Sequence, residues 1–164
     1  MQIVRGLHNL RPEHRGSALT IGNYDGVHRG HQAVLATLRA RAQALGAAVT
    51  VVTFEPTPQE YFGGSSAPSR LMRLRDKLLV LAEHGVRRVL CLRFDRVLAG
   101  LSAGEFVERV LVRGLGARHV VVGADFRFGR GFVLRQVPEL QIQDQDLHRF
   151  GFLGNDRAQQ DDVV

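Results

Sequence analysis

Hydrophobic positions along the chain fall into two alternating patterns. Short, near-continuous apolar runs (Ala18 to Ile21, Ala48 to Phe54, Arg88 to Arg93 and Val120 to Val122) read as buried strands, and between them apolar residues recur at the helical period. A first helix is expected from about Gly30 to Leu45, with Val34, Leu35, Leu38, Ala42 and Leu45 on one face and Gly46 as its C-cap. A second is expected from about Arg70 to His84, with a buried stripe of Leu71, Leu74, Leu78, Leu81 and Ala82 and a stop at Gly85. The Ser102–Glu105 pair is a capping-box signature for a third, which presents Phe106, Val107, Val110 and Leu111 and stops near Gly114. Glu55 to Ser69, rich in Pro, Gly and Ser, reads as a loop.

The resulting order, β-α-β-α-β-α-β, predicts an α/β fold: a Rossmann-like three-layer sandwich with a parallel sheet covered on both faces. Ligands in such folds sit at the carboxyl ends of the strands. The segments Gly22–His31, Glu55–Ser69, Phe94–Ala99 and Gly123–Gly129 are therefore expected to converge on one edge.

Composition adds exclusions. A chain of 164 residues with 45% apolar and 23% charged residues suits one folded domain. The single cysteine, Cys91, sits in an apolar run, which excludes a disulfide framework and a multi-thiolate zinc site. No apolar run reaches the ~20 residues that span a bilayer, and Met1–Arg5 does not open a signal peptide, so a cytoplasmic location without a membrane partner is expected. The net charge of +6 comes almost wholly from arginine, Lys77 being the only lysine. The arginines are scattered, which favours phosphorylated small molecules over nucleic acid as the partner. Oligomeric state leaves no sequence signal. Near Gln136 the composition shifts: four glutamines precede that residue, and six occur from it onward.

The most informative stretch leaves the first strand and enters the first helix: Gly22-Asn23-Tyr24-Asp25-Gly26-Val27-His28-Arg29-Gly30-His31. Gly22, Gly26 and Gly30 permit tight turns and close backbone approach to a ligand. Backbone N–H groups at a helix start favour an anion. His28 and His31, three residues apart, can bring both rings to one side, where imidazole N–H groups stabilise charge on a transferring phosphoryl group. The same residues also admit a plain polar loop, or metal ligation by the histidines with Asp25. No P-loop lysine motif and no G-x-G-x-x-G occurs.

Several motifs in register resemble bacterial riboflavin kinase/FMN adenylyltransferases, the FAD synthetases: Thr20 to His31, Thr53-Phe54-Glu55-Pro56-Thr57-Pro58, Ala67-Pro68-Ser69-Arg70-Leu71, Phe94-Asp95, Leu101-Ser102-Ala103, and Val122-Gly123-Ala124-Asp125-Phe126-Arg127-Phe128-Gly129. Tyr24 stands where the family usually has Phe. The resemblance implies the reaction of ATP with FMN to give FAD and pyrophosphate, assisted by Mg²⁺. It implies catalytic roles for His28, His31 and Asp125, with Asp125 also a candidate to position Mg²⁺, which phosphate oxygens would otherwise hold. Gly22, Asn23, Asp25, Gly26 and Gly30 would bind ATP; Phe54, Phe62, Phe128 and Arg127 would line the flavin site.

The chain departs from the family after Gly129. It lacks the Ser-Ser-Thr-x-Arg-type segment that closes over the ATP phosphates, and a riboflavin kinase barrel is expected to be absent. The resemblance thus implies an incomplete adenylyltransferase domain over residues 1–131, a divergent tail over 132–164 and impaired activity. Two other expectations remain: a non-catalytic flavin- or nucleotide-binding remnant, and an adenylyltransferase acting on another phosphorylated substrate.

Overall fold

The computed structural model describes residues 1–123, together with the backbone of short strands at 127–128, 132–133 and 139–141. Strand β1 (Gln2–Arg5) leads through 3₁₀ turns at Leu7–Asn9 and Pro12–His14 to β2 (Ser17–Ile21). Helix α1 (Arg29–Leu45), β3 (Ala48–Glu55), α2 (Pro58–Gly63), α3 (Leu74–Glu83) and β4 (Arg88–Arg93) follow. Next come α4 (Arg96–Ala99), α5 (Ala103–Phe106) continuing as a wider π-helical stretch over Val107–Gly114, and β5 (His119–Val121). Strands β6 (Arg127–Phe128) and β7 (Phe132–Val133) pair antiparallel, and β8 is Glu139–Gln141.

One sheet has the order β1-β4-β3-β2-β5-β8. The first five strands in that order run parallel, and β8 adds antiparallel to the β5 edge. The predicted parallel α/β sandwich is therefore present, with two additional edge strands. In β1 only Val4 is buried, so this edge strand carries no sustained apolar pattern.

Strand alternation divides the core between the two sheet faces. Leu19, Ile21, Val52 and Phe54 pack with Phe106, Val110 and Leu111 on one side. Ala18, Val49, Val51 and Val121 pack with Leu35, Leu38, Ala42 and Leu81 on the other. Each fully buried side chain of this size contributes roughly 1.5–3 kcal/mol relative to exposure. Gly46 ends α1 in the left-handed conformation, as expected of a C-cap. The Ser102–Glu105 capping box starts α5, and Cys91 is buried as a free thiol.

The second predicted helix needs correction. It starts at Leu74, four residues later than expected, and Leu71 is 77% exposed. Ala82 is exposed, whereas Lys77 occupies a buried position on the helix. The expected loop from Glu55 to Ser69 also contains α2. Thr57 caps that helix, Pro58 is its first residue, and Glu60 closes a capping box with Thr57. Among the described residues no helix is long and apolar enough to cross a membrane.

Candidate active site

Parallel pairing of β2, β3 and β4 brings the segments after these strands to the same sheet edge. The loop after β2 is held from beneath. Tyr24 and Val27 are each 2% exposed and have positive φ angles of 50° and 38°. Such conformations in non-glycine residues persist where surrounding packing enforces them, and they cluster at functional sites. The Tyr24 hydroxyl lies 2.7 Å from Thr20 Oγ1. Burial pushes its pKa up to about 12, although the Thr20 hydrogen bond opposes the shift.

Above this buried base the rings form a stack. Tyr24 and His31 have centroids 4.6 Å apart, and His31 and His28 are stacked at 3.8 Å. His28 is also the N-cap of α1, so both imidazoles stand at the helix end that favours anions. Gly30 makes this possible: a Cβ there would meet the His28 ring at 3.2 Å.

The segment after β3 is tied to this loop by charge. Both Asp25 carboxylate oxygens accept backbone N–H groups, from Leu71 at 2.9 Å and from Met72 at 3.0 Å. The Leu71 side chain lies against Gly26, whose φ of +75° and lack of a Cβ leave room for it. Arg70 donates to Glu55 and to both carboxylate oxygens of Glu60. The guanidinium holds Glu60 down at about 2, against an ordinary 4.5. A cavity of about 280 Å³ lies between the two segments, lined by Asn23 and Asp25 on one side and Thr57, Gln59, Ser69 and Arg70 on the other.

Beside it stands an aromatic group. Phe62 is 71% exposed and meets Tyr61 and Phe94 edge-on at 5.1 and 5.7 Å. Phe94 in turn touches Phe54 at 5.6 Å. A family model described as FAD synthetase matches residues 10–145.

The chain belongs to the FAD synthetase family.

Three similar proteins share the name bifunctional riboflavin kinase/FMN adenylyltransferase. That of Pseudomonas fluorescens is 60% identical over 129 residues, covering 79% of this chain and 41% of the relative. That of Escherichia coli K12 is 50% identical over 132 residues, covering 80% and 42% respectively. That of Haemophilus influenzae is 46% identical over 156 residues, covering 95% and 49%. The chain thus spans about two fifths to one half of the length of these relatives. A solved structure titled as a macrolide-efflux protein from Streptococcus pneumoniae superposes with a TM-score of 0.68 at 21% identity, covering 91% of this chain and 47% of the other, which shows a shared fold.

In this FAD synthetase family member, Gly22, Asn23, Asp25 and Gly26 lie in the loop after β2, His28 caps α1, and Gly30 and His31 fall in its first turn. Asp25, expected to bind ATP, has both carboxylate oxygens engaged by the strap at Leu71 and Met72. Phe54 is 7% exposed and contributes to the core, between Phe94 and Phe106. Phe62, expected to line the flavin site, stands at the surface on α2. Asp125 lies outside the described residues, as do the side chains of Arg127 and Phe128.

Three residues at this edge were given no site role by the sequence reading, Tyr61, Phe94 and Arg70, although Phe94 and Arg70 lie within its motifs. Phe94 directly follows β4, and Tyr61 precedes Phe62 on α2, so aromatic character at strand ends was the available signal. Arg70 was read only as part of a motif and the start of the second helix, because its partners Glu55 and Glu60 are distant in sequence by 15 and 10 residues.

Proposed function

We propose that this chain is an FMN adenylyltransferase module, joining the AMP part of ATP to FMN with release of pyrophosphate. The observation that carries the reading is the stacked His28–His31 pair at the N-terminus of α1. The family membership and the names of the relatives support the flavin substrate.

In this reading an FMN phosphate oxygen attacks the α-phosphorus of ATP. A new P–O bond forms, the bond between the α-phosphorus and the bridging oxygen breaks, and pyrophosphate leaves with that electron pair. Both substrates are anionic, so positioning and charge stabilisation dominate. His28 and His31 donate N–H groups toward the triphosphate, and the first turn of α1 adds its free backbone N–H groups. Gly22, Asn23, Gly26 and Gly30 let the backbone approach it. Asp25 serves indirectly, by fastening the strap over the loop. The isoalloxazine packs against Phe62, whose exposed ring suits a planar ligand.

Mg²⁺ fits this donor set as an ion held through phosphate oxygens. Among the described residues no group of three His, Cys, Asp or Glu is arranged to hold a metal, and the Asp25 carboxylate is already engaged. Bound in that way, Mg²⁺ neutralises phosphate charge with few protein ligands. Asp125 remains a proposed contributor near the phosphates, and Arg127 and Phe128 remain proposed flavin contacts. A cytoplasmic location and the absence of a nucleic-acid partner are part of the same proposal.

Incubation with FMN, ATP and Mg²⁺, followed by chromatography for FAD, tests the reading. FAD made by the parent and lost in His28→Ala supports it. FMN bound without turnover by the parent selects the non-catalytic remnant instead.

A further inference from the structure

The helix that carries the two histidines fixes where their side chains start but not how the rings face. The χ2 torsion of a histidine is broad, so a backbone position leaves the plane of the imidazole open. Donors to a transferring phosphoryl group act when they are aimed, and a hydrogen bond weakens steeply as it bends. His28 is exposed at the N-cap of α1, and His31 is half-buried in its first turn. Both ring planes therefore depend on what the rings pack against.

Tyr24 is placed to set them. Its buried ring lies 4.6 Å from the His31 ring, centroid to centroid, at an interplanar angle of 35°, and His31 stacks on His28 at 3.8 Å and 24°. The other end of the tyrosine is fixed to the sheet. Its hydroxyl lies 2.7 Å from Thr20 Oγ1, and Thr20 sits in β2, paired with Val51 of β3 on one side and Val121 of β5 on the other. Gly22 gives the ring its room, since a Cβ there would meet it at 3.1 Å. The backbone turns to a φ of 50° at Tyr24. That conformation is costly for a residue with a Cβ, and a strand position would bury an aromatic ring without it, so core packing alone does not account for it.

We propose that Tyr24 is a positioning residue of the phosphate site: its ring, pinned to an interior strand through Thr20, seats His31 and through it His28, so that both imidazoles meet a triphosphate in one fixed orientation. This inference rests on the nucleotidyl-transfer reading. Tyr24 does not touch the substrate and acts through His31. Donors oriented in advance avoid the entropy cost of being ordered when the anion arrives.

Calorimetric titration of ATP with Mg²⁺, and separately of pyrophosphate, tests this on the parent, Tyr24→Met, Tyr24→Phe, His31→Ala and the Tyr24→Met/His31→Ala double variant, with thermal unfolding measured on each. Methionine fills the site without a flat face. Tyr24→Met should lose about tenfold in affinity for both ligands, the scale of one charge-assisted hydrogen bond. Tyr24→Phe, which keeps the ring, should stay within about threefold of the parent. His31→Ala should lose at least as much as Tyr24→Met, and adding Tyr24→Met to it should lose no more, although Tyr24→Met lowers the unfolding temperature in both backgrounds. Should Tyr24→Met fail to fold, Thr20→Val, which keeps the ring and releases its hydroxyl, must show a loss of about threefold that vanishes in the His31→Ala background. Parent-like affinity in folded Tyr24→Met (or in Thr20→Val where it takes that place), or equal losses with and without His31, overturns the inference and leaves the nucleotidyl-transfer reading standing. A parent that binds neither ATP nor pyrophosphate overturns that reading, and the inference with it.

Discussion

The two segments that face each other across the candidate site are stabilised by opposite means. The loop after β2 is anchored by burial: Tyr24 and Val27 are sealed into the core, and the histidines ride on them. The segment after β3 is held by charge: Arg70 is clamped by Glu55 and Glu60, and the strap is fastened by Asp25. Its large side chains face outward, Phe62 at 71% and Leu71 at 77% exposure. Apolar anchoring is insensitive to salt and to mild acid, whereas surface ion pairs respond to both. The difference suits a division of labour in which a rigid base presents the proposed catalytic histidines and a more yielding segment covers the proposed substrate.

The sharpest way to break this comparison is to remove a presented group without touching the anchor. His28 is exposed and stacks on His31, so His28→Ala should leave thermal stability nearly unchanged. FAD formation should fall by roughly 10²–10³-fold, the scale of losing one preorganised donor to a developing charge. A large fall in unfolding temperature in this variant would mean that the stack itself supports the loop.

The anchor is tested next. Tyr24→Ala removes a 2%-exposed aromatic and its hydrogen bond to Thr20. It should destabilise the fold by about 3–5 kcal/mol in chemical denaturation. Tyr24→Phe keeps the ring and sharpens the comparison, with an expected loss of about 1 kcal/mol from the missing hydroxyl.

These two loops also differ in how far the sequence disclosed them. The Gly22–His31 segment was legible because its glycines, histidines and flanking strand and helix are local features. The helix at Pro58–Gly63 was obscured by the Pro/Gly/Ser content around it, although Thr57, Pro58 and Glu60 form a recognisable start signal. Leu71 was misassigned because periodicity continues through it, while in the fold Asp25 captures the N–H groups of Leu71 and Met72 and delays the helix to Leu74. Lys77 could not be read as buried, since a lysine within a helical pattern reads as a surface position. Local patterns were visible, and long-range charge pairing was not.

The second segment should show smaller, local effects. Thr57 accepts from the Glu60 N–H and caps α2, so Thr57→Ala should weaken that helix by about 1 kcal/mol. Because α2 contributes no buried residue, global unfolding should change less than the hydrogen exchange of its amides. Equal changes in both would show that α2 unfolds only with the whole domain.

The smallest effect separates the two modes of anchoring most directly, because it is read from pH. Arg70 holds the Glu60 pKa at about 2 in the folded protein, below its ordinary 4.5. A depressed carboxylate stabilises the fold above its unfolded value and ceases to do so as protons bind. The clamp's contribution should therefore be complete above about pH 4.5 and decline between there and about pH 2. Since the pair lies at the surface, with 25% of the Glu60 side chain exposed, screening limits it to about 1 kcal/mol or less. Glu60→Gln should remove this acid-dependent component, and 1 M salt should shrink it in the parent, where the screening length falls to about 3 Å. The Tyr24 anchor, whose pKa of about 12 keeps it neutral throughout that range, should contribute no slope there. An acid response unaltered by Glu60→Gln would place the sensitivity elsewhere and would show that the segment after β3 is held by packing, as its neighbour is.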